Sequence, residues 1–161
     1  MKPCVLVNTL KNKQLAVKMI KEIQSSETYL VRQEVLRKGK PIETCYFEGD
    51  DAKTTMHFGI ELNEKIIGIV SVYQVNSQLF DIENQFQIRG MAVLNEFQGN
   101  GFGSQLLAEA ENYCTSQKAS VIWFNAREKA VPFYKKSGYQ TKGDSFEIPE
   151  VGIHFIMFKI N

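Results

Sequence analysis

Cysteine is scarce in this chain of 161 residues: Cys4, Cys45 and Cys114 stand far apart, with no C-x-x-C pair. An odd, scattered set excludes a disulfide framework and offers no zinc-ligand spacing. Excess charge of either sign is missing too, since 19 Lys and Arg against 18 Asp and Glu leave a formal net charge of +1. That balance argues against nucleic acid or an anionic membrane as the main partner. No apolar run approaches the ~20 residues that cross a bilayer, and the N-terminus has no apolar stretch of signal-peptide type. From these absences the expectation is a protein of a reducing, cytoplasmic compartment, with no membrane partner and no metal.

What is present is ordinary for a soluble globular protein, with 43% apolar and 23% charged residues. The length suits one compact core, and no repeat, low-complexity tract or linker interrupts it, so one domain over residues 1–161 is expected. One local basic window stands out: Arg127, Lys129, Lys135, Lys136 and Lys142.

Along the chain, residues 1–16 are ambiguous between strand and loop. Val17 to Ile23 reads as a strand, Ser25 and Ser26 as helix caps, and Glu27 to Arg37 as the helix they open, ended by Gly39 and Pro41. The long connection over 39–56 carries Glu48, Asp50 and Asp51, read as a solvated turn or as an acidic rim attracting an amine. Alternation from Met56 to Leu62, the turn Asn63-Glu64-Lys65 and the run Ile66 to Val75 predict a β-hairpin. Residues 86–93 alternate as a strand, and Phe102, Leu106, Ala110, Tyr113 and Cys114 fall on one face of a helix over 101–117. Val121 to Phe124 reads as an inner strand and Arg127 to Ser137 as a helix with Pro132 in its first turns. Two final strands, 139–142 and 151–160, are joined across 143–150.

Between the strand at 86–93 and the long helix lies Gln98-Gly99-Asn100-Gly101-Phe102-Gly103. Glycines at a helix entrance let a ligand approach unpaired main-chain N–H groups, and the helix dipole favours an anion there. A pyrophosphate cradle is one reading; a tight connection that is glycine-rich for steric reasons is the other. Two common phosphate loops fail directly. A dinucleotide G-x-G-x-x-G starting at Gly99 would need glycine where Ser104 stands, and no G-x-x-x-x-G-K-[ST] occurs.

The segment Met91-Ala92-Val93 followed by Gln98-Gly99-Asn100-Gly101-Phe102-Gly103 resembles the [RQ]-x-x-G-x-[GA] motif of the GCN5-related N-acetyltransferase (GNAT) superfamily. A second signature of that family is matched by Phe133-Tyr134-Lys135-Lys136-Ser137-Gly138-Tyr139. The tail Phe146 to His154 is similar to a bacterial subgroup whose acceptors are mostly unassigned. The resemblance implies a mixed α/β fold of GNAT type, with a largely antiparallel central sheet and helices on both faces. It implies acetyl-CoA as co-substrate, with the main chain of Met91, Ala92 and Val93 pairing with the pantetheine arm. The amides of Gln98, Gly99, Asn100, Gly101, Phe102, Gly103 and Ser104 would then bind the pyrophosphate, and Phe133 would contribute to the same site. Many relatives carry Asn where this chain has Arg127; Asn125, two residues earlier, is a substitute contact, and the Arg127 guanidinium could reach phosphate or an acidic acceptor.

The implied reaction is attack by an amine of a small molecule or peptide on the thioester. It needs a neutral amine, a stabilised oxyanion and a protonated leaving thiol; Tyr134 is the family's candidate for the last. A lysine-like amine is only about 0.04% neutral at pH 7, an α-amine about 14%, so the need for a base depends on the acceptor. Candidates are Glu147 and His154 near the last loop, with Asp50, Asp51 and His57 near the early one; for His154 a satisfied core histidine is the competing reading. A non-catalytic acyl-CoA-binding regulatory module and an acetylase of aminoacyl-tRNA are the rival functions, and homodimerisation is left open.

Overall fold

A computed structural model describes residues 18–161; the ambiguous segment 1–16 lies outside them. Among the described residues, seven strands form one sheet in the order β1-β2-β3-β4-β5-β7-β6. They are β1 (Lys18–Glu22), β2 (Thr55–Leu62), β3 (Lys65–Gln74), β4 (Gln85–Val93), β5 (Val121–Arg127), β6 (Gln140–Ile148) and β7 (Gly152–Ile160). Every neighbouring pair is antiparallel except β4 and β5. The β2–β3 hairpin turns at Asn63 and Glu64, both at positive φ (49° and 64°), as a two-residue hairpin loop requires.

Three α-helices complete the fold: α1 (Ser25–Leu36), α2 (Phe102–Ser116) and α3 (Val131–Lys136). Residues Ser71 and Gly68 point to opposite faces of β3. Ser71 meets Arg32 of α1, whereas a Cβ on Gly68 would stand 3.1 Å from Leu106 of α2. The two long helices therefore cover opposite faces, as expected of a GNAT-type sheet. Leu106, Leu107, Ala110 and Cys114 are the buried stripe of α2, in one hydrophobic cluster with Val70, Val72, Phe86 and Ile122 from the central strands.

Three local expectations change. The cap of α1 is Gln24, which forms a reciprocal box with Glu27, while Ser25 lies inside the helix and donates its hydroxyl to Asp51 (2.6 Å). The stretch 143–150 is mostly strand: β6 continues through Gly143 to Ile148, with two extra residues bulged between Lys142 and Phe146. The expected helix at 127–137 begins as a 3-10 turn (Glu128–Ala130) before α3, with Pro132 at the start of the α-helix, where its missing N–H costs nothing.

Candidate active site

The glycine stretch connects β4 to α2. Its polar side chains are spent on bracing the loop. Gln98 donates its side-chain amide to the Val93 carbonyl (2.9 Å) and to Asn95 Oδ1 (3.1 Å), and Asn100 donates to the carbonyls of Phe97 (3.0 Å) and Gln98 (3.1 Å). The Gln98 N–H is likewise taken, by the Asn95 carbonyl at 3.3 Å, so Gln98 shapes the cradle rather than lending it an amide. Gly99 and Gly101 both adopt φ +78°, a conformation that a side chain would strain. Gly101 is the N-cap of α2 and supplies no side-chain cap. The helix entrance thus presents main chain and dipole, which suits a phosphate group. The cleft in front of it, of about 580 Å³, is lined by Met91, Ala92, Val93, Gln98, Gly99, Gly101, Phe102, Gly103, Ser104, Phe133 and Tyr134. Asn100 does not line it.

That cleft continues into a gap in the sheet. The parallel strands β4 and β5 pair only over Gln85–Gln87 and Val121–Trp123, although β4 runs on to Val93 and β5 to Arg127. Beyond Gln87 they part. On its other edge β4 stays joined to β3, but with one extra residue between Arg89 and Ala92. Gly90 sits in this bulge at φ +63°, and a Cβ there would lie 3.1 Å from Phe47 and 3.2 Å from Arg32 Nε. The bulge bends β4 away from β5. Met91, Ala92 and Val93 therefore face the gap with main chain that β5 does not use.

Tyr134 stands at the head of the gap. Its ring is held by Phe124 (4.4 Å between centroids), Phe133 (5.0 Å) and Tyr139 (6.1 Å), and it is 8% exposed. Burial pushes the phenol up to about 12, so it carries its proton at neutral pH. Tyr134 lines the cradle cleft and also a second cleft, of about 280 Å³, bordered by Gln87–Met91 of β4 and Phe124–Arg127 of β5. Leu36, Met91, Arg127, Lys129 and Ala130 are the rest of the shared wall.

The second cleft brings together Asn125, Arg127, Tyr134 and His154 from the sequence-based set, with Arg37 and Arg89 added. His154 is 5% exposed and its Nδ1 lies 2.7 Å from the Gly152 carbonyl. A carbonyl can only accept, so Nδ1 carries the hydrogen and the neutral ring keeps its lone pair on Nε2. Glu147 is placed elsewhere. It pairs with Ile153 on the opposite strand parity from His154, is exposed, and does not line the cleft. Arg127 donates to the Leu36 carbonyl (3.4 Å), and burial together with the nearby Arg37 charge lowers its pKa.

Of the early-loop acids, Glu48 and Asp51 are exposed, as in a solvated turn, whereas Asp50 is not. Asp50 is buried and accepts from both Arg32 terminal nitrogens (2.6 and 3.0 Å), from the Tyr73 hydroxyl and from the Phe47 N–H (2.9 Å). His57 is buried beside it, between Ser71 Oγ (2.7 Å) and the Asp50 carbonyl (2.8 Å). Arg32 and Tyr73 were not foreseen, and neither was the role of Arg37 and Arg89. They come from α1, its C-cap, β3 and β4, and no spacing rule joins them. Among the described residues no group of His, Cys, Asp and Glu could hold a metal ion.

A helix entered through glycine and a parted parallel strand pair border one cleft, and a buried phenol joins it to a second. The sequence model of the acetyltransferase (GNAT) family matches residues 17–139, and the chain belongs to this family as an acetyl-CoA-dependent acetyltransferase. It is 31% identical over 140 residues to the uncharacterized N-acetyltransferase YitI of Bacillus subtilis, covering 87% of this chain and 94% of that one. Its fold is similar to that of Ard1 from Thermoplasma volcanium (TM-score 0.71, 16% identity, 89% and 97% of the two chains). It is also similar to an aminoglycoside 6'-N-acetyltransferase complexed with coenzyme A (TM-score 0.66, 12% identity, 88% and 96%).

Proposed function

We propose that the protein transfers an acetyl group from acetyl-CoA to a primary amine of a small molecule or peptide by direct attack on the thioester. The observation that carries this reading is the meeting of two clefts at Tyr134, one with a glycine-built anion cradle and one open to an acceptor. The amine nitrogen forms a bond to the acetyl carbon, the carbon–sulfur bond breaks, and the electron pair leaves on sulfur. Main-chain N–H groups of Met91 to Val93, unused by β5, are placed to stabilise the carbonyl oxygen as it gains charge. Tyr134, protonated at neutral pH, supplies the proton to the departing thiolate. His154 Nε2 is the group in the acceptor cleft able to take a proton from the amine. The whole chain acts as one domain in this reading, and free, buried Cys45 and Cys114 agree with a cytoplasmic setting.

Thiol release from acetyl-CoA with a panel of amines tests the reading. Tyr134→Phe keeps the ring packing and is expected to slow turnover about 10²-fold, the low end for a general acid. A rate within twofold of the wild type removes Tyr134 from that role. Tight coenzyme A binding with no release from any amine favours a regulatory module instead.

A further inference from the structure

The acceptor cleft has a one-sided charge. Arg37, Arg89, Arg127 and Lys129 line it, and no Asp or Glu does. The fold gives these cations little compensation. Arg37 and Arg127 both donate to a single main-chain carbonyl, that of Leu36 (3.2 and 3.4 Å), and Arg89 donates to the carbonyl of Glu48 (3.3 Å). Among the described residues none of the four is in an ion pair, whereas Lys21, Arg32, Lys40, Lys65 and Lys159 each hold a carboxylate. Asp50, close by in the fold, is committed to Arg32, Tyr73 and Phe47.

The cofactor does not account for all four. Arg127 and Lys129 line both clefts and could serve coenzyme A phosphates, but Arg37 and Arg89 line the acceptor cleft alone. Both stand over the Phe47 ring, Arg89 at 5.0 Å and Arg37 at 5.6 Å from its centroid, and Arg89 also lies 5.1 Å from Tyr73. The rings hold the guanidinium groups in place while leaving them without a counter-ion. Like charges gathered in a half-buried cleft are relieved by an arriving anion, and guanidinium groups match carboxylate and phosphate in geometry.

Resting on the acetyl-transfer reading above, we propose that the acceptor is an amine that also carries an oxyanion, a carboxylate or a phosphate ester, which Arg37 and Arg89 hold while the amine faces Tyr134. Polyamines and other polycationic amines are then excluded by repulsion rather than by size.

The test compares acceptors matched in length: 4-aminobutanoate, 4-aminobutanamide, 1,4-diaminobutane and 3-aminopropyl phosphate. The wild type is expected to favour the carboxylate or the phosphate over the amide and the diamine by about tenfold or more in kcat/KM, the factor one charge-assisted hydrogen bond supplies. The tighter of the two oxyanions names the source. Arg37→Gln and Arg89→Gln should erase the preference while leaving the KM for acetyl-CoA unchanged, and Arg89→Lys should restore part of it. Calorimetric binding of the same four compounds to protein saturated with coenzyme A separates this proposal from the activity. An oxyanion preference in binding without thiol release upholds the anion site and overturns the transfer reading. Thiol release that favours the diamine or the amide, or a preference that survives both Gln variants, overturns the anion site and leaves the transfer reading standing.

Discussion

Three guanidinium groups stand against the ring of Phe47, and the fold treats them in opposite ways. Arg32, 4.1 Å from the ring centroid, is fully buried and hydrogen-bonded to Asp50, Ser71 and the Cys45 carbonyl. Arg89 and Arg37 are half-buried and donate to main-chain carbonyls, with no carboxylate paired to them among the described residues. A charge that the fold requires arrives with its counter-charge built in, because a lone buried ion is prohibitively costly. A charge left uncompensated at a cleft is tolerated only while water can reach it, and is free to meet something from outside. The difference separates architecture from function within a few ångströms.

The sharpest way to break the comparison is to remove the counter-charge of the buried member. Asp50→Ala strands Arg32 and is expected to destabilise the protein by about 3–5 kcal/mol, measured by denaturant unfolding. A loss below about 1 kcal/mol would mean that the pair is no more structural than the cleft cations. A smaller effect of the same origin follows from pH. Burial would raise the Asp50 carboxyl, but hydrogen bonds from Arg32, Tyr73 and the Phe47 amide outweigh it and leave its pKa below the ordinary value. Its folded pKa is the depressed one, so its stabilising contribution is full above the unfolded value of about 3.9 and is lost as pH falls through the lower native value. Unfolding free energy followed down this acid limb should fall more steeply for the wild type than for Asp50→Asn. At the other end of the scale, Arg37→Gln should change stability by no more than about 0.5 kcal/mol. Its sign should be stabilising, since Arg37 lowers the pKa of Arg127 by its charge. A large destabilisation would make Arg37 an architectural residue like Arg32.

The regular parts of this contrast were legible in the sequence. Period-3.6 spacing from Phe102 to Cys114 marks α2, and Asn63-Glu64 between two alternating runs marks the β2–β3 hairpin. Gly99 and Gly101 marked the glycine-built entrance to α2 because only backbone conformation was at stake. The second half of β6, from Gly143 on, was read as a loop, since Gly143-Asp144-Ser145 carries turn chemistry that the sheet absorbs as extra residues. Asp50 was read with Asp51 as part of a solvated turn or an acidic rim because nothing local distinguishes the two; its partner Arg32 lies 18 positions away on another element. The placement of Glu147 turned on strand parity, which one bulge can reset. Local conformation is written locally, while charge compensation is a property of neighbours in space.

The parting of β4 from β5 leaves a raw sheet edge in the middle of the molecule. An exposed edge on a protein surface recruits other strands and invites aggregation. Here Val35 and Leu36 of α1, Ala130 of the 3-10 turn and Phe133 and Tyr134 of α3 wall the slot beside it. On the acetyl-transfer reading proposed above, those walls would turn away a foreign strand bristling with side chains, while one slender chain with amide groups could slip in and mend the sheet.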